Sequence, residues 1–190
     1  VRHPLKITCQ CRLLSLFVCI GQGVTGICTH NQYSLAMALF PVTEKPLDDP
    51  FYYLNNCKQV LDWLEHRYAD VLSLEERRFI RAFNGLPRES RGLLVRMVMR
   101  KGIHFRAGKL HYVEIGDIAS AAGPLLALGW IDSQAPLTLE TLFEVLLKAE
   151  IVQCLGSAID QPKGKKADWL PALSERYPET QRFRDWCPTL

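Results

Sequence analysis

Apolar residues recur along this chain with two different rhythms. From Tyr52 the positions Tyr53, Leu54, Cys57, Val60, Leu61, Leu64, Tyr68 and Val71 are spaced by three and four, which predicts a long amphipathic helix. Ser73 opens a second helix, with Glu76 three positions on to complete a capping box and Phe79, Ile80 and Phe83 on its apolar face. Gly85 and Pro87 end it. A third helix is expected from Arg88 to Lys101, with Leu93, Leu94, Met97 and Val98 inward and Gly102 as its left-handed stop. The rhythm then shortens. Ile103, Phe105, Leu110 and Tyr112 around Gly108-Lys109 predict a small β hairpin between Ile103 and Val113.

Helical character returns from Glu114 to Leu128, with Pro124 expected in the first turn of a second piece, and Gly129 to Asp132 reads as an exit strand. Ser133 to Pro136 marks a boundary. Beyond it Leu142, Val145, Leu146, Ile151 and Leu155 predict helix over Leu137 to Leu155, then a loop from Gly156 to Gly164, then a last helix from Lys165 to Tyr177 that Pro171 interrupts. The fold class is therefore mainly α: a winged-helix-like domain with a small β hairpin, followed by a second helical unit.

The first 36 residues follow neither rhythm. Arg12 and the apolar run Leu13 to Ile20 imitate a signal peptide, but the run is too short to span a membrane, and Ala36-Met37-Ala38 lies far beyond it. The segment holds no acid and four of the seven cysteines (Cys9, Cys11, Cys19, Cys28), and the composition changes at Met37. It reads as a non-native or disordered leader, with natural translation starting at Met37. The expected domains are residues 37–132 and 133–190, with Leu39 to Pro50 an extended arm into the first helix.

Charge sharpens the picture. The net charge is +3, yet residues 73–112 carry ten Lys or Arg against three Glu, whereas residues 113–160 carry Lys148 alone against seven acids. One stretch is suited to meet an anion. Arg88, Arg91, Arg96, Arg100 and Lys101 crowd the third helix, with Arg106 and Lys109 in the hairpin. Guanidinium forks at this density grip phosphates and release counterions, so they are expected to converge on one groove for a nucleic-acid backbone. Lys163, Lys165 and Lys166 stand where the last helix begins, and free amides there would share an anion with them. Tyr52, Tyr53 and Tyr112 could stack on bases, although such aromatics more often join the core.

Other chemistry is tested by absence. No lysine follows Asp or Glu by two positions, as restriction-type nucleases require, and no glycine-rich phosphate loop, zinc-protease helix or serine elbow occurs. The odd, irregular cysteine set suits free thiols in a reducing cytosol better than a disulfide framework or zinc, and His66, His104 and His111 lack metal-like spacing. No catalytic or metal-binding residue is assigned.

Three runs carry a family resemblance: Asp49-Pro50-Phe51-Tyr52-Tyr53-Leu54, Leu93 through Gly102 (LLVRMVMRKG), and Leu110-His111-Tyr112-Val113-Glu114-Ile115. From about residue 45 onward the chain resembles the bacterial Fanconi-associated nucleases. That resemblance implies the DNA-binding front of a structure-specific phosphodiesterase that cuts near 5′ flaps in crosslink repair. Its virus-type replication-repair nuclease domain, which uses magnesium or manganese, would lie elsewhere in the parent. The implied partners are branched or flap DNA and that nuclease domain, and the implied setting is the cytoplasm, at the nucleoid. By the same resemblance Arg96, Arg100 and Lys101 track the DNA backbone, with Tyr53 and Tyr112 near that path. Ala149-Glu150-Ile151 with Gly164 through Leu170 resembles the helix pair of a SAP module. The rival reading is a protein-interaction scaffold in which the acidic stretch after Val113 docks other domains of the parent.

Overall fold

The computed structural model describes residues 4–7 (backbone), 49–100, 102–159 and 163–188. Helices dominate, with small sheets between them, as the apolar spacing predicts. The residues group into two compact units. One, here the helical unit, includes the described chain up to Arg100 from Asp49, together with Tyr112–Leu128; the other, the mixed unit, gathers Pro4–Ile7, Gly102–His111 and the chain from Gly129 onward. Neither unit is continuous in sequence.

In the helical unit the Asp49 carboxylate accepts the Phe51 amide at 2.9 Å and the Asn55 side-chain amide at 2.6 Å, which sets the start of α1 (Tyr52–Arg67). α2 (Leu74–Gly85) begins with the expected capping box: Ser73 Oγ accepts the Glu76 amide, and the Glu76 carboxylate accepts the Ser73 amide at 2.8 Å. α3 (Arg88–Val98) buries Leu93, Leu94, Met97 and Val98 and packs on α1 and on α4 (Ile118–Ala127). Gly92 permits this approach, since a Cβ there would stand 3.0 Å from the Phe51 ring and 3.1 Å from Tyr53 Oη. α3 ends at Val98 with Met99 as its cap, short of the expected Lys101, so Gly102, although its φ is +90°, lies past the helix end rather than at its stop.

α4 is a single helix rather than two pieces. Asp117 caps it, accepting the Ser120 amide at 2.9 Å, and Pro124 lies well inside it rather than in a first turn. Residues 113–115 form a turn ahead of it, and the helix starts at Ile118 rather than at Glu114.

The mixed unit corrects the hairpin. β2 (His104–Arg106) forms, but Ala107–Lys109 coils into a turn of 3-10 helix and supplies no return strand. The partner is β1 (Pro4–Ile7), which also pairs antiparallel with β3 (Ile131–Asp132), so the sheet order is β2-β1-β3. A strand pairs with whatever edge is presented to it, and proximity in sequence is only one way to present one. β1 belongs to the segment read as a leader; the rest of residues 1–36, with Met37 and Leu39 to Asp48, lies outside the described residues.

Helix over 137–155 divides into α5 (Leu139–Val145), capped by Thr138, and α6 (Lys148–Leu155). The break follows from a second cap: the Glu150 carboxylate accepts the Leu147 amide at 2.8 Å. α7 (Lys166–Arg176) contains Pro171. β4 (Pro136–Leu137) pairs with β5 (Gln181–Arg182) ahead of α8 (Phe183–Trp186), and the periodicity announced none of these three. The core gathers Leu137, Leu142, Phe143, Ile151, Trp169, Leu173, Phe183 and Trp186, and Trp186 Nε1 donates to the Leu137 carbonyl at 3.1 Å.

Cys154 and Cys187 form a disulfide across 33 positions, which overturns the reading of uniformly free thiols. Their spacing is irregular because folding, not sequence, brings the ends of α6 and α8 together. Cys57 remains free and buried, and burial pushes its thiol up to about 12, well away from a reactive thiolate. It lines, with Leu61, Phe79, Phe83, Leu94, Val95, Val98 and Met99, an apolar cavity of about 20 Å³, too small for a ligand.

Candidate nucleic-acid interface

The predicted cationic residues fall into two groups, one in each unit, and several are already engaged. In the helical unit Arg88 lies 4.0 Å over the Phe51 ring, with Asp49 at 3.9 Å. Arg91 is half-buried, and its Nε has no hydrogen-bond partner among the described residues. Arg96 is held most closely. Its Nε and Nη2 both donate to Glu114 Oε1, at 3.1 and 2.6 Å, and its guanidinium stands 4.0 Å from the Tyr53 ring centre and 5.2 Å from that of Tyr112. The side chains of the pair are 29% and 9% exposed.

Tyr53 is 3% exposed, and burial pushes its phenol up to about 12. A ring so enclosed belongs to the core. Tyr52 meets it edge-on, ring centres 5.8 Å apart. Tyr112 is half-buried, and Arg100 is exposed with its guanidinium 6.0 Å from the Tyr112 ring. Arg100 is therefore an exposed cation just past α3 with no ion pair among the described residues. Lys101 lies outside the described residues.

In the mixed unit Arg106 makes a bidentate pair with Glu150, Nη1 to Oε2 at 2.6 Å and Nη2 to Oε1, with side chains 15% and 16% exposed. It ties β2 to α6, a structural duty that sequence reasoning did not foresee. Glu114 and Glu150 were both missed, because partners 18 and 44 positions away leave no local signal.

The lysines converge. Lys166 Nζ donates to the Leu146 carbonyl at 2.9 Å and lies 5.9 Å from the Phe143 ring centre, and Lys148 Nζ stands 5.3 Å from the Trp169 ring centre and 3.5 Å from the Lys163 carbonyl. Desolvation, reinforced by the nearby charge of Lys109, lowers the Lys166 ammonium below its usual range. Lys163, Lys165 and Lys109 are exposed. The Asp168 carboxylate accepts the Lys165 amide at 3.0 Å, which steadies the start of α7 despite the cations there. Among the described residues none of Lys109, Lys148, Lys163, Lys165 and Lys166 is ion-paired. Lys148 was not singled out from sequence, since it stands alone among acids.

Acid sensitivity follows from the two carboxylates. At Glu114 burial raises the carboxyl, but hydrogen bonds from Arg96 and its own backbone outweigh this and hold it below its ordinary 4.5; at Glu150 the Arg106 hydrogen bonds lower it outright, against a smaller cost of burial. A folded value below the unfolded one means stability is fully present above the ordinary carboxylate range and is lost as pH falls through the folded value. The urea midpoint is expected to hold from pH 7 to about 5 and fall below it. The Glu114→Gln, Glu150→Gln variant should start lower and show a shallower fall, and an equally steep one would contradict these pairs. Asp117, through Ser120, and Glu140, through its own backbone, are also lowered and supply the residual slope.

Among the described residues no group of three or more His, Cys, Asp or Glu stands where it could hold a metal. Among the same residues no helix is long and apolar enough to cross a membrane.

Comparisons with known proteins fit this arrangement. Residues 51–132 match the family model described as "FAN1, HTH domain", and residues 136–186 match "Fanconi anemia-associated nuclease SAP domain". The chain is 48% identical over 157 residues to a Fanconi-associated nuclease 1 homolog of Pseudomonas aeruginosa, covering 83% of this chain and 28% of that protein. A Schizosaccharomyces pombe homolog is 28% identical over 149 residues, 78% of this chain and 19% of its own length. Among solved structures, paFAN1 bound to 2-nt 5′-flap DNA with a gap superposes with a TM-score of 0.73 at 47% identity, over 77% of this chain and 27% of that one. Its counterpart with a 1-nt flap gives 0.69 at 49%, over 73% and 26%. The chain thus spans under a third of the length of the relatives it matches. It belongs to the Fanconi-associated nuclease family and corresponds to the portion that carries the HTH and SAP domains.

Proposed function

We propose that this chain is the DNA-binding portion of a structure-specific repair nuclease, holding branched or flapped duplex through its phosphates for a nuclease domain carried elsewhere in the parent protein. The observation that carries the reading is the group of five lysines near the start of α7 that have no ion-pair partner among the described residues, in a chain 47% identical, over 77% of its length, to a protein solved with 5′-flap DNA. Exposed ammonium groups beside Lys148 and Lys166, which carbonyls and rings hold, suit a polyanion, because each phosphate they neutralise releases counterions. Arg100 and the half-buried Arg91 and Tyr112 would form a second foothold in the helical unit. Cleavage near a 5′ flap during interstrand crosslink repair, with magnesium or manganese, is the activity proposed for the parent, and the nucleoid its setting. The division into a binding domain over 37–132 and a SAP-like module over 133–190 belongs to the same proposal.

The test is a fluorescence-anisotropy titration of a labelled 5′-flap duplex at several salt concentrations. Five phosphate contacts are expected to give a slope of log affinity against log salt of about −4. No binding at low salt would overturn the reading and favour a protein-interaction scaffold.

A further inference from the structure

We propose that Cys154 and Cys187 form a reversible thiol–disulfide switch. Closed, the bond clamps a C-terminal strap, Gln181–Cys187, onto the core of the mixed unit and raises the DNA affinity of the lysine-bearing loop it encloses; open, it releases the strap. The effect on affinity rests on the DNA-binding reading above, whereas the clamp stands on the fold.

The strap is short on regular structure of its own. β5 pairs with β4 over two residues and α8 is a single turn, lengths that are marginal without tertiary support. Buried Phe183 and Trp186 give part of that support, and Trp186 meets Tyr177 edge-on, ring centres 5.7 Å apart. Tyr177 is the C-terminal cap of α7, so the strap abuts the far end of the helix that starts at Lys166. Cys154, in the last turn of α6, and Cys187, directly after α8, stand 4.8 Å apart at their Cα atoms and close a loop of 33 positions. Lys163, Lys165 and Lys166, three of the five lysines proposed to meet phosphate, lie inside that loop. A cross-link restricts a loop only while it is closed, so opening this one loosens the strap first and the lysines with it.

The chemistry is exchange with small thiols. The nucleoid setting proposed above is a reducing one, where disulfides are usually transient. Cys154 is half-buried and Cys187 only 2% exposed, so attack falls on Cys154. The thiolate of a low-molecular-weight thiol such as glutathione bonds to Cys154 Sγ, the bond to Cys187 breaks, and Cys187 leaves as a thiolate that takes up a proton. A second small thiolate then attacks the small-molecule sulfur of that mixed disulfide and frees Cys154, which is protonated in turn. Two small thiols have become one small disulfide, and two electrons and two protons have passed to the protein pair. Closure runs the same steps backwards, with the small disulfide as oxidant. Cys57 takes no part, since it is free, buried and held as a thiol.

The test equilibrates the full chain in buffers of rising ratio of reduced to oxidised glutathione, caps the free thiols and maps the peptides by mass. The peptide pair linked through Cys154 and Cys187 is expected to give way to two capped thiols along the series. Hydrogen exchange on the same samples should show the Gln181–Cys187 amides exchanging at least about ten-fold faster in the open form, while α1 amides keep their protection. In anisotropy titrations with a 5′-flap duplex, opening should weaken binding about three-fold and lower the salt slope by about 1. The Cys154→Ser, Cys187→Ser double variant should give the open-form values at every ratio, which separates this pair from the other cysteines. A linked peptide that survives excess glutathione or never forms, strap exchange alike in both forms, or equal DNA affinity in both would each overturn the proposal. A wild-type chain that binds no DNA in either form overturns the proposed function instead, and mapping and exchange still decide whether the pair clamps the strap.

Discussion

Replacing Arg106 with alanine is expected to destabilise the mixed unit by about 3 kcal/mol, the order of cost for breaking a largely buried ion pair from one side. The loss is large because of what remains. Glu150 is 16% exposed and, among the described residues, would keep the Leu147 amide as its hydrogen-bond donor, so a charge would stay in a poorly solvated place. The pair also ties β2 to α6, elements 44 positions apart at these residues, so the strand carrying Phe105 would lose its charged anchor on the helix. Equilibrium urea unfolding of the 190-residue chain measures this. An Arg106→Met, Glu150→Leu double variant should recover most of the loss, since removing both charges leaves neither stranded. If Arg106 were instead a free phosphate ligand, its replacement would leave stability within about 0.5 kcal/mol, as for most surface changes.

The second large effect concerns affinity. Changing Lys109, Lys163 and Lys165 together to alanine, and Lys166 to glutamine, is expected to reduce the slope of log affinity against log salt by about 3 to 4 and to weaken flap binding by about 100-fold or more near physiological salt. Three of these lysines are exposed, so their loss should leave the fold intact; Lys166 is half-buried, and glutamine retains a donor for the Leu146 carbonyl. Thermal unfolding of the variant controls for this. The loss should be the same for flap and continuous duplex, because ammonium groups read charge and not base edges. A slope that stays at its wild-type value would remove these lysines from the interface.

The local elements were legible because their causes are local. The apolar spacing of α1 and the Ser73–Glu76 box each rest on residues within a few positions, and the structure shows both, whereas α3 stops at Val98 ahead of Gly102. The runs at Asp49 to Leu54 and Leu93 to Gly102 likewise announced the family without any coordinates. The density of basic residues on α3 was equally plain, as was the cluster before α7.

What each charge does could not be read there. Arg96 and Arg100 are four positions apart and identical in type, yet one is clasped by Glu114 and two rings and the other is exposed; the difference lies in Tyr53 on α1 and in Tyr112 and Glu114, all distant in sequence from Arg96. The same holds for Arg106 with Glu150, for Cys154 with Cys187, and for β2, whose partner strand is Pro4–Ile7 rather than its own neighbour. The chain by itself determined that helices dominate, how α2 is capped, where positive charge gathers and which family it joins, because hydrogen bonds, propensities and composition act over short spans. Only the tertiary structure decided which cations are used up inside the protein, because a salt bridge depends on which distant carboxylate folding brings within about 3 Å.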